Sequence, residues 1–497
     1  MITRRASFVT LLALTAVWLV AQSCLLPPIA VAEHWRQAET ASMALNLAHR
    51  EFDPFFPQIN WGGDGPGYVE AEFPLYQALV AALMLVFGDS PWTGMAVSLA
   101  CIAACAVAVC ALVGRRFGAA AGLVAGAYVL TSRLGVHLSA AVMPDALAVL
   151  LYVVALERFL AWVQGRRTSA LLWSAAALAL SACIKPTALG LGVAEFGIVI
   201  VSARDALRRP WVWLAWAGVL AVCAAWLLHA AHLHAVWGNS FGVIAGGDSK
   251  FPLLAQVFDR DHLYALGRVS LEWGIGGVPL LFGLGLLLWR RWGPIEWSLA
   301  IANVLVLIVS LRYATLDYAG GHYHVFAMIL AAWFVAKAYA LVDRGLRERA
   351  VARRMLMVAA AVALCAAYGR NVTARRREDR EQVPAAIVEL GRTLATRVTP
   401  DTLVVAQSDD DAWDPAWQRA DNYQDPRLFY ASHTRGWVLP HDVADATTLA
   451  DFAARGAEYY VVAGPPPAAL EPWLAEHARV VYRDRFGSIF ELPTGGH

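Results

Sequence analysis

The residues able to do chemistry gather where apolar segments end. Residues 33–42, Glu-His-Trp-Arg-Gln-Ala-Glu-Thr-Ala-Ser, follow an apolar segment that stops at Pro27-Pro28, and they supply two carboxylates (Glu33, Glu39), a guanidinium (Arg36) and an amide (Gln37). Asp145 stands in Met143-Pro144-Asp145 at the head of the apolar run 146–156. Lys185, in Ile184-Lys185-Pro186, interrupts a stretch that is otherwise apolar from 168 to 203, and Gly320-Gly321-His322-Tyr323-His324 opens another. An acid within the bilayer costs up to about 2.5–3.5 kcal/mol and tends to face a cavity. A lysine at the membrane boundary sits where a lipid phosphate lies. Each has an ordinary structural account as well. Proline and an acid favour a first helical turn, and a lysine can satisfy terminal carbonyls and reach the interface.

Metal chemistry has little to build on. His229, His232 and His234 have ligand types but no acid at a set spacing, so they read as a wet helix end. Asp259-Arg260-Asp261 and Asp409-Asp410-Asp411 read as loop acids. No cofactor is expected, with a divalent metal left open.

The elements that position these residues follow from composition. Of 497 residues 59% are apolar and 16% charged, with mean hydropathy +0.50, which is membrane composition. A net charge of +1 gives no electrostatic case for nucleic acid. The seven cysteines all lie in apolar runs, without disulfide or zinc spacing.

Apolar runs at about 7–27, 92–114, 117–133, 144–163, 168–183, 187–203, 211–233, 274–289, 295–311, 322–342 and 353–368 each approach the length of a span. The run 73–88 is ambiguous, and charge decides it. If it does not cross, Arg4-Arg5, Arg115-Arg116, Arg166-Arg167, Arg208-Arg209, Arg290-Arg291 and the arginines of 344–354 all fall on the inner side. Against this, Arg370 and Arg375-Arg376-Arg377 then lie outside, just past the last span and ahead of a long translocated segment. The first run reads as a retained span, not a cleaved signal.

The expected fold is an α-helical polytopic membrane protein of about eleven spans with juxtamembrane helices, N-terminus inside. Residues 1–370 form the membrane part, with long outer loops at 28–91 and 234–273. Residues 371–497 form a small extracytoplasmic α/β domain, with strand-like runs at 402–406, 427–430, 458–462, 479–482 and 488–492 between helical stretches near 383–397, 446–455 and 467–477. On this topology Glu33, Arg36, Glu39, Asp145, Lys185, Arg268, His322 and Tyr323 share the outer face.

An acidic outer loop, then Phe73-Pro74-Leu75-Tyr76-Gln77, Gly114-Arg115-Arg116-Phe117-Gly118, Met143-Pro144-Asp145, Ile184-Lys185-Pro186 and His322-Tyr323-His324, in that order, resembles the GT-C superfamily of membrane glycosyltransferases. The resemblance is to its bacterial branch related to protein O-mannosyltransferases and lipid A aminoarabinose transferases. It implies an enzyme of the inner membrane that transfers a sugar, with inversion, from a polyprenyl-phosphate donor to a lipid, glycan or protein acceptor on the periplasmic side. It also implies membrane lipids as partners.

By the same resemblance Asp145 matches the acid that follows the third span, Lys185 the lysine near the donor phosphate, and Tyr323 the aromatic residue of a late span start, although the proline expected there is absent. The first loop departs from the pattern: where relatives carry adjacent Asp-Glu, this chain has Arg36 and Gln37, and the acid appears at Glu39. Trp-Arg-Gln-Ala-Glu-Thr resembles a subgroup with Asp in place of Glu. Catalysis is expected from Glu39 and Asp145, and substrate binding from Glu33, Arg36, Gln37, Tyr76, Lys185, Arg268, His322 and Tyr323. Glu39, Glu33 and Asp145 all remain candidates for the base that takes the acceptor's proton. A transporter or flippase of envelope precursors is the rival class. It fits less well, because the sequence shows no repeat and its ionisable residues gather on one face.

Overall fold

A computed structural model of the protein describes residues 4–26, 34–244, 254–276, 279–315, 321–381, 385–407, 413–414, 419–420, 425–441 and 444–493. The chain sorts into two compact units. One is built from Met1–Ile29, Met95–Ala225 and Lys250–Arg380, the other from Ala30–Gly94, Trp226–Ser249 and Glu381–His497.

The helices in chain order are α1 (Arg4–Leu25), α2 (Trp35–His49), α3 (Leu75–Phe87), α4 (Pro91–Phe117), α5 (Ala119–Thr131), α6 (Arg133–Ala140), α7 (Asp145–Gly165), α8 (Thr168–Ile184), α9 (Gly190–Ser202) and α10 (Pro210–Trp237). Later helices include Arg260–Val269, Pro279–Leu287, Pro294–Val309, Val325–Gly345 and Ala350–Glu381. Each apolar run singled out in the sequence carries one of these helices. Among the described residues five helices are long and apolar enough to cross a membrane, six if the pair α5 and α6, bent by 54°, counts as one span. Among the shorter apolar helices are α3, α8, Pro186–Ser202 and Pro294–Val309. This is a multi-pass membrane protein.

Two breaks in the helical unit are written in local sequence. Proline cannot continue α8 and pushes its predecessor out of the helical region. Lys185 accordingly turns extended (φ −147°, ψ 100°), and Pro186 starts a short 3-10 turn, Pro186–Leu189. At the α5–α6 bend, Ser132 leaves the helix and its hydroxyl accepts the Gly135 N–H at 3.0 Å, capping α6.

The second unit contains a five-stranded mixed sheet. Its strands are β3 (Leu403–Gln407), β6 (Arg435–Val438), β7 (Tyr459–Ala463), β8 (Arg479–Arg483) and β9 (Gly487–Glu491), in the order β6-β3-β7-β9-β8. Two short pairs stand beside it: β1 (Val69–Glu70) with β2 (Asn239–Ser240), and β4 (Trp413–Asp414) with β5 (Arg419–Ala420). Side chains alternate across the sheet with the strand period. Val404, Val461 and Ile489 share one core with Met43, Ile59, Trp61, Val69 and Phe241, while Val405, Tyr460 and Phe490 face another with Leu449 and Leu474. Residues of 43–69 and Phe241 therefore complete the sheet's core. They also cover its β6 edge: Gly436 N–H donates to Asn60 O at 2.9 Å, and Gly63 N–H donates to Gly436 O at 2.7 Å. Gly436 sits at φ +145°, with no room for a Cβ beside Val404 O.

One local expectation fails. Residues 427–430 are not a strand but the start of a helix, Arg427–Ser432. Asp425 and Pro426 are helix-start residues, and the Asp425 carboxylate accepts the Arg427 N–H at 2.9 Å. The strand follows at β6.

Candidate active site

In the helical unit, Pro144 precedes α7 and places Asp145 in its first turn, among the N–H groups that attract an anion. The break after α8 places Lys185 beside it. Ser181 Oγ donates to Ala148 O at 2.8 Å, fastening α8 to α7 one turn away. Lys185 Nζ donates to Asp145 Oδ1 at 2.5 Å, and both side chains are buried, 9% and 3% exposed. The ammonium also lies 5.0 Å from the centre of the Tyr323 ring, a cation–π distance. Tyr323 stacks on Tyr313 at 5.9 Å and 22°, and His322 packs against it at 4.4 Å. His322 and Tyr323 belong to the short turn Gly321–His324, whose Gly321 lies so close to the Trp273 indole that any side chain would collide with it. Asp145, Lys185, His322 and Tyr323 are thus brought together. Arg268 stands exposed in the last turn of Arg260–Val269.

An ammonium has three donors, and Asp145 accepts one. Buried beside one carboxylate and one ring, the cation can compensate a phosphate oxygen without a metal. Among the described residues no group of three metal-ligand side chains comes together.

The second unit holds the other acid. Gln37, Glu39 and Asn46 lie on the buried face of α2. Glu39 is 6% exposed. Its Oε1 accepts the Trp35 indole N–H at 3.1 Å, and its Oε2 accepts Arg36 Nη1 at 3.0 Å. The other guanidinium nitrogen, Nη2, donates to Glu72 Oε2 at 2.5 Å. Burial raises the Glu39 carboxyl above the ordinary glutamate range. The Arg36 charge and hydrogen bonds from Arg36 and Trp35 oppose that rise, and the Glu72 charge adds to it. Gln37 is buried beside it. Tyr76 is fully buried on α3 and donates to Gly94 O at 2.9 Å. Glu33 lies outside the described residues.

Sequence reading missed three partners. Glu72 and Tyr313 were not singled out, and neither was Glu70, which is fully buried. The Glu70 carboxylate accepts Ser240 Oγ at 2.7 Å and the N–H groups of Val243 and Ile244 at 3.2 and 2.8 Å. The available signal was the pair of acids in Glu70-Ala71-Glu72, which an extended segment would place on one face; the chain bends at Glu72 after β1, and the two carboxylates take different partners.

This arrangement has relatives. The sequence pattern of the family described as dolichyl-phosphate-mannose-protein mannosyltransferase matches residues 69–229. Among curated proteins none matches the chain at a significant level. Among solved structures, ArnT from Cupriavidus metallidurans bound to undecaprenyl phosphate superposes with a TM-score of 0.67 at 14% identity, covering 97% of both chains. Its apo form gives the same score at 15% identity. The chain has the GT-C fold. The archaeal oligosaccharyltransferase AglB from Archaeoglobus fulgidus, in complex with an inhibitory peptide and a dolichol-phosphate, extends the GT-C likeness at a TM-score of 0.51 and 11% identity. That match covers 91% of this chain and 69% of AglB.

Proposed function

We propose that this GT-C protein is an inverting glycosyltransferase of the bacterial inner membrane, moving a sugar from a polyprenyl-phosphate donor to an acceptor hydroxyl on the periplasmic side. The observation that carries this reading is the buried Lys185 ammonium, held between Asp145 and Tyr323 where two apolar helices break. A lipid phosphate is the anion such a cation suits at a membrane boundary. The printed ligands of the structural relatives, undecaprenyl phosphate and dolichol-phosphate, belong to that class.

The chemistry divides into two tasks. The acceptor oxygen attacks the anomeric carbon and gives its proton to a carboxylate as the C–O bond forms. Glu39, buried and raised, suits that task. The bond from the anomeric carbon to the phosphate oxygen breaks with its electron pair, leaving polyprenyl phosphate, whose charge Lys185 stabilises. Asp145 orients Lys185. Tyr323 and His322 shape the phosphate side, while Arg36, Gln37, Glu33, Tyr76 and Arg268 contribute to donor or acceptor binding.

The deciding experiment gives detergent-purified protein a polyprenyl-phosphate sugar and extracts of envelope glycolipids, glycans and proteins as acceptors. Release of polyprenyl phosphate that requires an acceptor supports the reading. Glu39→Gln and Asp145→Asn each lower that release at least about tenfold while the protein still inserts and purifies. Full release by both variants removes the residue assignments. Movement of intact lipid across proteoliposomes without release puts a flippase in their place.

A further inference from the structure

Among the described residues two carboxylates share Arg36. Its Nη1 reaches Glu39 at 3.0 Å, and its Nη2 reaches Glu72 at 2.5 Å. Glu39 is buried, whereas the Glu72 side chain is 20% exposed and that of Arg36 34%. A guanidinium is a planar fork, so two acids on two of its nitrogens divide one positive charge.

We propose that Glu72 is a positioning residue for Glu39: by sharing the Arg36 guanidinium, it sets how firmly that cation holds the Glu39 carboxylate. The inference rests on the reading of Glu39 as base.

Among the described residues few other charges face Glu39. On α2 itself they are Arg36 and the uncharged Trp35 indole. In β1, Glu70 is turned into its own bonds with Ser240, Val243 and Ile244, and on the segment after it Glu72 faces Arg36. From the helix Arg427–Ser432, Arg427 lies 5.7 Å over the Trp35 ring, and the Asp425 carboxylate accepts its guanidinium at 2.9 and 2.7 Å. From α3, Gln77 is a neutral buried amide. Glu72 is thus the acid that competes for Arg36.

Competition has a definite sign. A base held by an undivided cation gives up its affinity for protons, because the cation favours the charged form. With Arg36 divided, the Glu39 carboxylate keeps more affinity for the acceptor's proton. Glu72 also repels charge on Glu39 directly, with the same sign. The two partners of Arg36 therefore have opposite consequences. Losing Glu72 concentrates the cation on Glu39, and losing Arg36 removes it.

The test follows the protonated carboxyl band of Glu39 by infrared spectroscopy of the full-length protein in detergent, titrated with pH and assigned as the band missing in Glu39→Gln. Glu72→Gln moves its midpoint down by about one pH unit and Arg36→Gln moves it up by about as much. The acidic limb of the pH–rate profile for sugar transfer shifts the same way in each variant. Glu72→Asp, which keeps the charge but withdraws it from Arg36, shifts the midpoint down by less and serves where Glu72→Gln does not fold. A midpoint that stays put or rises in both Glu72 variants overturns the sharing and leaves the base reading standing. Full transfer by Glu39→Gln overturns the base reading, while the infrared midpoints still report on the shared cation.

Discussion

Asp145 and Lys185 are expensive to bury singly, and their 2.5 Å contact offsets that cost. Removing one partner of such a pair strands the other, typically at about 3–5 kcal/mol, whereas replacing both with apolar residues is often neutral. A purely structural pair and a catalytic pair therefore respond differently. Lys185→Met alone lowers thermal stability sharply. Asp145→Leu with Lys185→Met restores most of it and leaves transfer at the level of the single variants. Recovery of transfer in the double variant makes the pair a helix fastening and nothing more. Glu39 carries a second sign. Its carboxyl is raised by burial, so the protonated form is the one the fold favours. Its contribution to stability is complete below the unfolded-state value and is lost as pH rises through the raised folded-state value. Transfer runs the other way, because a base works ionised and gains over the same window. Scans across pH check both: wild type loses melting temperature as it gains rate, and Glu39→Gln shows neither slope there.

At the scale of elements, what was legible in the sequence depended on whether a residue breaks a pattern. Pro144-Asp145 and Lys185-Pro186 interrupt apolar runs, and the breaks lie where the sequence puts them. Their pairing across forty positions was not legible, because it follows from how α8 packs on α7. The acids of β1 and its sequel broke no pattern, since a polar loop hides an inward-facing carboxylate among solvated ones. Residues 427–430 misled because Leu428, Phe429 and Tyr430 suit a strand, and the helix-start pair before them outweighs that preference. Glu70 is the partner whose loss acts through an element. Its carboxylate gathers a hydroxyl and two backbone N–H groups, and Glu70→Ala removes that acceptor, at about 1–3 kcal/mol for the buried Ser240 hydroxyl and less for the N–H groups of half-buried Val243 and exposed Ile244. Hydrogen exchange at 240–244 accelerates in that variant while exchange in β7 is unchanged. Equal acceleration in both means that Glu70 supports the unit's stability generally and not this loop.

At the scale of the molecule, the make-up of the second unit constrains topology. A folded sheet unit cannot be divided by a bilayer, where exposed backbone groups have no partner. Ala30–Gly94, Trp226–Ser249 and Glu381–His497 build one such unit, so all three have to emerge on one face. The chain between them must then cross an even number of times in each interval. The described helices are compatible with this: between 95 and 237 lie α4, α7, α10 and the bent pair α5–α6, long and apolar enough to cross, and the shorter apolar α8 and α9, and four helices lie between 279 and 381. With α1 the expected total is eleven, and α3 stays on the face it started from, as the arginine clusters require. A variant with its seven cysteines replaced provides the background for a test in intact spheroplasts with a membrane-impermeant maleimide. Single cysteines at exposed Asp89 and Glu476 label at once, and those at exposed Arg208 and Arg347 label only after permeabilisation. Protection of position 89 alongside labelling of 476 puts α3 across the membrane. Labelling of 347 in intact cells reverses the sidedness that the arginines imply.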